Sequence, residues 1–205
     1  MKKHRILLIT AATSTVTLLS GCGSMPTRID TQSNRGLTTT DEINFKDWQM
    51  TAEKAVNSML KSGVLKTDDG HKNIIMISTV KNSTTQHINT KILTSKIRRA
   101  VLRSGDALTT TAAGGRGPED KANRQVRQLA SDKMFNQNLV QKQGTLLPPT
   151  MSLAGEIIQE KTRQGRSKES YFFFHLTLTD LKTGLAVWED SFDFAKQSKK
   201  SFVGW

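Results

Sequence analysis

A single cysteine, Cys22, stands among 205 residues, so the chain cannot form an internal disulfide and its stability must come from a packed core. Histidine is nearly as scarce. His4, His71, His87 and His175 stand far apart, with no H-E-x-x-H or paired spacing, and the sequence therefore offers no metal centre and no cofactor site. No G-x-S-x-G elbow is present, and Cys22 has another use, so no nucleophile can be named. The carboxylate pairs Asp68-Asp69 and Glu189-Asp190 read as a turn and as an exposed strand position, neither with a partner for acid–base work. The glycine cluster Gly114-Gly115-Arg116-Gly117-Pro118 lacks the Lys-Ser/Thr that follows a phosphate-binding loop, and Glu119 and Asp120 are expected in the first turn of the helix it introduces. These absences exclude the familiar enzyme classes and favour a binding module.

Positive charge is abundant: 30 Lys and Arg face 18 Asp and Glu, a formal net of +12. Lys2, Lys3 and Arg5 open the chain, and the apolar run of residues 6–19 is too short to span a bilayer, which is the layout of a secretory signal. The run ends in Leu19-Ser20-Gly21-Cys22, which resembles the bacterial lipobox, the signal for acylating a cysteine that becomes the new N-terminus. Residues 1–21 thus read as a lipoprotein signal peptide and Cys22 as a lipid anchor. By the same resemblance, Gly23 in place of an aspartate implies delivery to the outer membrane, facing the periplasm. Loss of the signal removes three cations and leaves a net of +9. An exported basic protein meets acidic protein faces, lipid phosphates or cell-wall carboxylates, not nucleic acid.

Residues 22–42 are polar and aperiodic and read as a lipidated N-terminus and flexible tether; residues 43–205 read as one globular domain. Trp48, Ala52, Ala55, Val56, Met59 and Leu60 recur at helical spacing, with a stop at Ser62-Gly63. The run at 74–80 has the nearly continuous apolar character of a strand covered on both faces. Ile88 to Val101 mark a second helix ended by Gly105, residues 107–111 a short strand, and Val126, Leu129, Ala130, Met134 and Phe135 a third helix. Three strands follow from Ser152, joined by the polar loop 164–168 and by a tight turn at Lys182-Thr183-Gly184. Phe172, Phe174, Leu176 and Leu178 alternate with Tyr171, Phe173, His175 and Thr177, giving one wholly apolar face and one mixed face. The predicted fold is α+β: a single mixed sheet flanked by helices, ending in an antiparallel three-stranded meander.

Three stretches carry a family resemblance: Asp47-Trp48 near the first helix, Val80-Lys81-Asn82 at a strand end, and the L-x-L-T-D-x-x-T-G-x-x-x-W string from Leu176 to Trp188. Together with the lipobox they resemble the LpoB-type outer-membrane lipoproteins that activate penicillin-binding proteins. The resemblance implies no enzymatic activity and a bifunctional peptidoglycan synthase (penicillin-binding protein) as partner. Two basic clusters are candidates for meeting an acidic partner surface: Arg98, Arg99 and Arg103 on the second helix, and Arg163, Arg166 and Lys168 around the polar loop. Tyr171 and Phe173, on the mixed strand face, are candidate contact anchors. The competing reading is a structural lipoprotein of a surface, flagellar or secretion-associated assembly.

Overall fold

The computed structural model describes residues 42–67, 70–114 and 119–199. Helix α1 (Phe45–Ser62) starts where Asn44 accepts the amides of Lys46 and Asp47, while the Asp47 carboxylate takes the Asn44 amide at 2.7 Å. This reciprocal box satisfies amides that the helix itself cannot. It ends at Gly63, whose φ of 73° lies in the left-handed region that only glycine enters cheaply. Trp48, Thr51, Ala52, Ala55, Val56 and Met59 form its buried stripe.

Strand β1 (Asn73–Ser83) is followed by α2 (Lys91–Ser104), the short β2 (Ala107–Thr109) and α3 (Ala122–Gln128). Then come three long strands, β3 (Met151–Gln164), β4 (Ser167–Asp180) and β5 (Ala186–Lys199). The strand order is β2-β1-β3-β4-β5, with β2, β1 and β3 parallel and β3, β4 and β5 antiparallel. The expected mixed sheet with its terminal meander is therefore present.

Alternation decides the faces. Phe172, Phe174, Leu176 and Leu178 of β4 are fully buried with Ile75, Ile77, Leu153 and Ile157 beneath α1 and α2. Each such side chain contributes roughly 1.5–3 kcal/mol relative to exposure. The opposite face is only half-buried at Ile74 and Met76 of β1, so that strand alternates and is not covered equally on both sides. A bulge between Ile77 and Val80 in the β1–β3 register returns Val80 to the buried face.

Two further expectations need correction. The third helix is a single short helix followed by a 3-10 turn, Leu129–Ser131, and buries no residue. Its apolar spacing meets no core: Met134 is 91% exposed, and Phe135 is exposed as well. Glu119 and Asp120 precede it. Glu119 pairs with Arg124 at 2.9 Å, and Asp120 accepts the Ala122 amide. The polar loop 164–168 is instead a two-residue turn, Gly165-Arg166, because the charged residues around it continue the ladder. Asp68, Asp69 and residues 115–118 lie outside the described residues.

Gly155 marks a tight point. It faces the helical layer between Val80 and Leu176, and a Cβ there would stand 2.4 Å from the His175 carbonyl oxygen and 2.5 Å from Leu176 Cδ2. Backbone cannot yield as a side chain can. Gly155→Ala is expected to cost about 2–3 kcal/mol, the upper part of the range for overpacking, read as a lower urea midpoint at unchanged slope.

Candidate interaction surface

The family-like motifs turn out to build the scaffold. Asp47 closes the α1 cap and also pairs with Lys196 of β5 at 2.6 Å, both side chains being nearly buried. Trp48 meets Phe174 edge to face, with centroids 5.9 Å apart. Lys81 pairs with Glu156 at 2.9 Å, and Asn82 accepts the Thr84 amide and donates to the Gln86 carbonyl, fixing the turn after β1. In the β4–β5 turn, Asp180 accepts the Lys182 and Thr183 amides at 2.8 and 2.9 Å, and the Thr183 amide is the main reason its carboxyl titrates below the usual aspartate range. Trp188 is buried and donates its indole N–H to Ser58, whose hydroxyl donates to Asp190.

The candidate contact residues fall on three separate patches. Arg98, Arg99 and Arg103 line the outer side of α2, with Arg98 half-buried and the other two exposed. Burial lowers the Arg98 pKa, and its Nε has no acceptor among the described residues. Arg163 on β3 and Lys168 on β4 stand directly opposite each other, with Arg166 in the turn between their strands. Here β3 has run beyond the last β1 pairing at Ser83–Ile158, so the three cations ride on the tip of a projecting hairpin. With Lys161 and Glu169, Arg163 and Lys168 help line a cavity of about 240 Å³.

Tyr171 and Phe173 occupy the other face of the sheet and are half-buried there. The Tyr171 hydroxyl donates to Asp193 at 3.1 Å; desolvation, then that bond, raises its pKa. Phe173 stacks on His175 with centroids 6.2 Å apart. Sequence reasoning missed the groups beside them. Register places Lys81, Glu156 and His175 in one row across β1, β3 and β4. His175 lies 3.8 Å from Glu189 and 3.2 Å from Thr177. The Ser83 hydroxyl, then Lys81, holds the Glu156 carboxyl below its ordinary pKa. Strand alternation puts these groups on the mixed face, but only the pairing register brings them together. Among the described residues no group of three or more His, Cys, Asp or Glu side chains is placed to hold a metal.

The molecule is an α+β domain that presents an aromatic pair edged by charged side chains on one sheet face and basic patches elsewhere. The chain belongs to the family of peptidoglycan-synthase activators called LpoB, whose family model matches residues 47–194. Members of that family regulate a synthase and are not themselves enzymes. Similar solved structures include the LpoB C-terminal domain from Escherichia coli, at 15% identity and TM-score 0.40, covering 72% of this chain and 98% of that one. The lipoprotein GNA1162 from Neisseria meningitidis matches at 11% identity and TM-score 0.35, covering 63% and 86%. The PelC dodecamer from Paraburkholderia phytofirmans matches at 14% identity and TM-score 0.32, covering 63% and 74%. No curated protein sequence matches the chain.

Proposed function

We propose that this protein is acylated at Cys22, carried to the outer membrane, and there binds and stimulates a bifunctional penicillin-binding protein from the periplasmic side. The observation that carries the reading is the family match across residues 47–194, and the lipobox with Gly23 supports the anchor and its destination. Tyr171 and Phe173 supply the aromatic anchors on the mixed sheet face, where a rigid ring loses little entropy on binding. Arg163, Arg166 and Lys168 on the hairpin tip speed encounter with an acidic surface and set its salt dependence.

The test is reconstitution. The mature chain carrying Cys22→Ser, mixed with each bifunctional synthase of the source cell, is expected to accelerate glycan polymerisation from lipid-linked precursor and to have no activity alone. A Tyr171→Ala/Phe173→Ala pair is expected to weaken binding at least tenfold while lowering the melting temperature by only several degrees, both rings being half-buried. Absence of both binding and stimulation for every synthase overturns the reading and favours a structural lipoprotein.

A further inference from the structure

Helix α2 carries charge of one sign only. Its 14 residues carry Lys91, Lys96, Arg98, Arg99 and Arg103 and not one carboxylate. Lys91 occupies the first turn, at the positive end of the helix dipole, where a cation is unfavourable, and Thr90 caps nothing with its side chain. None of the five cations forms an ion pair with a described residue. Glu53 of α1 borders the cleft beside Lys96 and Arg99, but its carboxylate accepts from Gln49 instead. Charge placed this way serves something outside the fold.

Ile92 and Leu102 share this outer side and are 46% and 47% exposed. Ten residues of helix separate them, about 15 Å along the axis, so an apolar side chain projects near each end of the basic strip. A shallow cleft of about 380 Å³ opens between Leu102 and the arginines. The helix contains no aromatic residue, unlike the Tyr171–Phe173 face, so its anchors are cationic and aliphatic only. Cations with projecting Ile and Leu match instead the charged-lipid boundary, where phosphates meet the acyl region.

Chain length fits the same occupant. Residues 23–42 span at most about 70 Å even at full extension, so a domain anchored at Cys22 stays within that reach of its own membrane. We propose that the outer face of α2 docks on the phosphate-bearing surface of the membrane to which the chain is anchored, leaving the mixed sheet face turned toward the periplasm. The proximity argument rests on the lipid-anchor reading; the docking chemistry does not.

The test uses the mature, unacylated chain carrying Cys22→Ser with vesicles of phosphatidylethanolamine and phosphatidylglycerol, read by co-sedimentation. Binding is expected at low salt, weaker by at least tenfold on phosphatidylcholine vesicles and reduced steeply by 0.3 M salt, where the Debye length falls to about 6 Å from about 30 Å in dilute buffer. Lys91→Glu/Arg99→Glu/Arg103→Glu should lose the binding at least tenfold, and Ile92→Ser/Leu102→Ser several-fold, with melting temperatures near the parent's. A Lys133→Glu/Lys142→Glu variant, changed at exposed lysines away from α2, should bind as the parent does. Equal binding to neutral vesicles, or none to anionic ones, overturns the proposal. So does retained vesicle binding in the α2 charge variant, or an α2 variant whose only loss is synthase binding, which would mark α2 as a protein interface. Because the vesicle assay contains no synthase, its failure and that of the activator reading are separate outcomes.

Discussion

Asp47→Ala is expected to cost about 3 kcal/mol of stability. Two interactions end together. The Asn44 amide loses its acceptor, a capping loss of about 1 kcal/mol, and Lys196 is left without its carboxylate at a side chain only 11% exposed. Breaking one side of a buried pair ordinarily costs about 3–5 kcal/mol, because the remaining charge stays desolvated. Lys196 keeps the Glu42 carbonyl at 2.7 Å and lies over the Phe194 ring at 5.7 Å, which holds the total toward the low end. For a domain of this size the loss corresponds to a fall of roughly 10 °C in Tm. Asp47→Asn separates the two effects, since its amide oxygen can still accept from Asn44 while the ion pair is gone. Lys196→Met placed on Asp47→Asn should recover part of the loss, because an apolar pair leaves no charge buried. An Asp47→Ala protein that unfolds at the parent's urea concentration would show that the pair contributes nothing.

This pair also shows what the sequence could and could not disclose. Asp47-Trp48 is conspicuous as a string, but its meaning lies with Lys196 and Phe174, more than a hundred residues away. Local patterns were legible where one element decides its own burial. The α1 stripe ending at Gly63, the α2 stripe ending at Gly105, and the β4 alternation all depend on period alone. The third helix failed for the converse reason. Val126, Leu129 and Met134 have helical spacing, but spacing stabilises a helix only where a partner surface receives it, and none buries them. Polar composition misled at residues 164–168, where Lys168 and Arg163 pair across a ladder and only Gly165-Arg166 turns.

The candidate surface divides along the same line. That Tyr171 and Phe173 share a face opposite Phe172 follows from alternation within one strand. That Arg163 and Lys168 point to the other side of the sheet from Tyr171 requires the β3–β4 register, in which Arg163 opposes Lys168 and Phe174 opposes Ile157. The state of the α2 cations is likewise a three-dimensional fact: the sequence shows five positive residues, and only the folded chain shows that no carboxylate among the described residues pairs with them.

Cys22→Ala is expected to move the protein almost completely from the membrane fraction to the soluble one and to abolish its activity in cells. Acyl chains contribute about 0.8 kcal/mol per buried methylene, one chain giving marginal, reversible binding and two or more a stable anchor. Five surface cations contribute at most about 1 kcal/mol each at an anionic surface, and salt screens that attraction within about 8 Å at physiological ionic strength. On the proposed reading, lipid would hold the protein and α2 would only orient it. The unacylated chain should wash off with salt, whereas the acylated parent should resist salt and yield only to detergent. Gly23→Asp should keep the acyl group but redirect the protein inward, separating the loss of anchoring from the loss of address. Purified Cys22→Ala protein should stimulate the synthase as well as the mature unacylated parent does, since the change lies outside the domain that makes the contact. Retention of Cys22→Ala with the outer membrane after a high-salt wash would mean that a protein partner, not lipid, fixes the domain there, and would shift the weight of evidence to a structural role in a surface assembly.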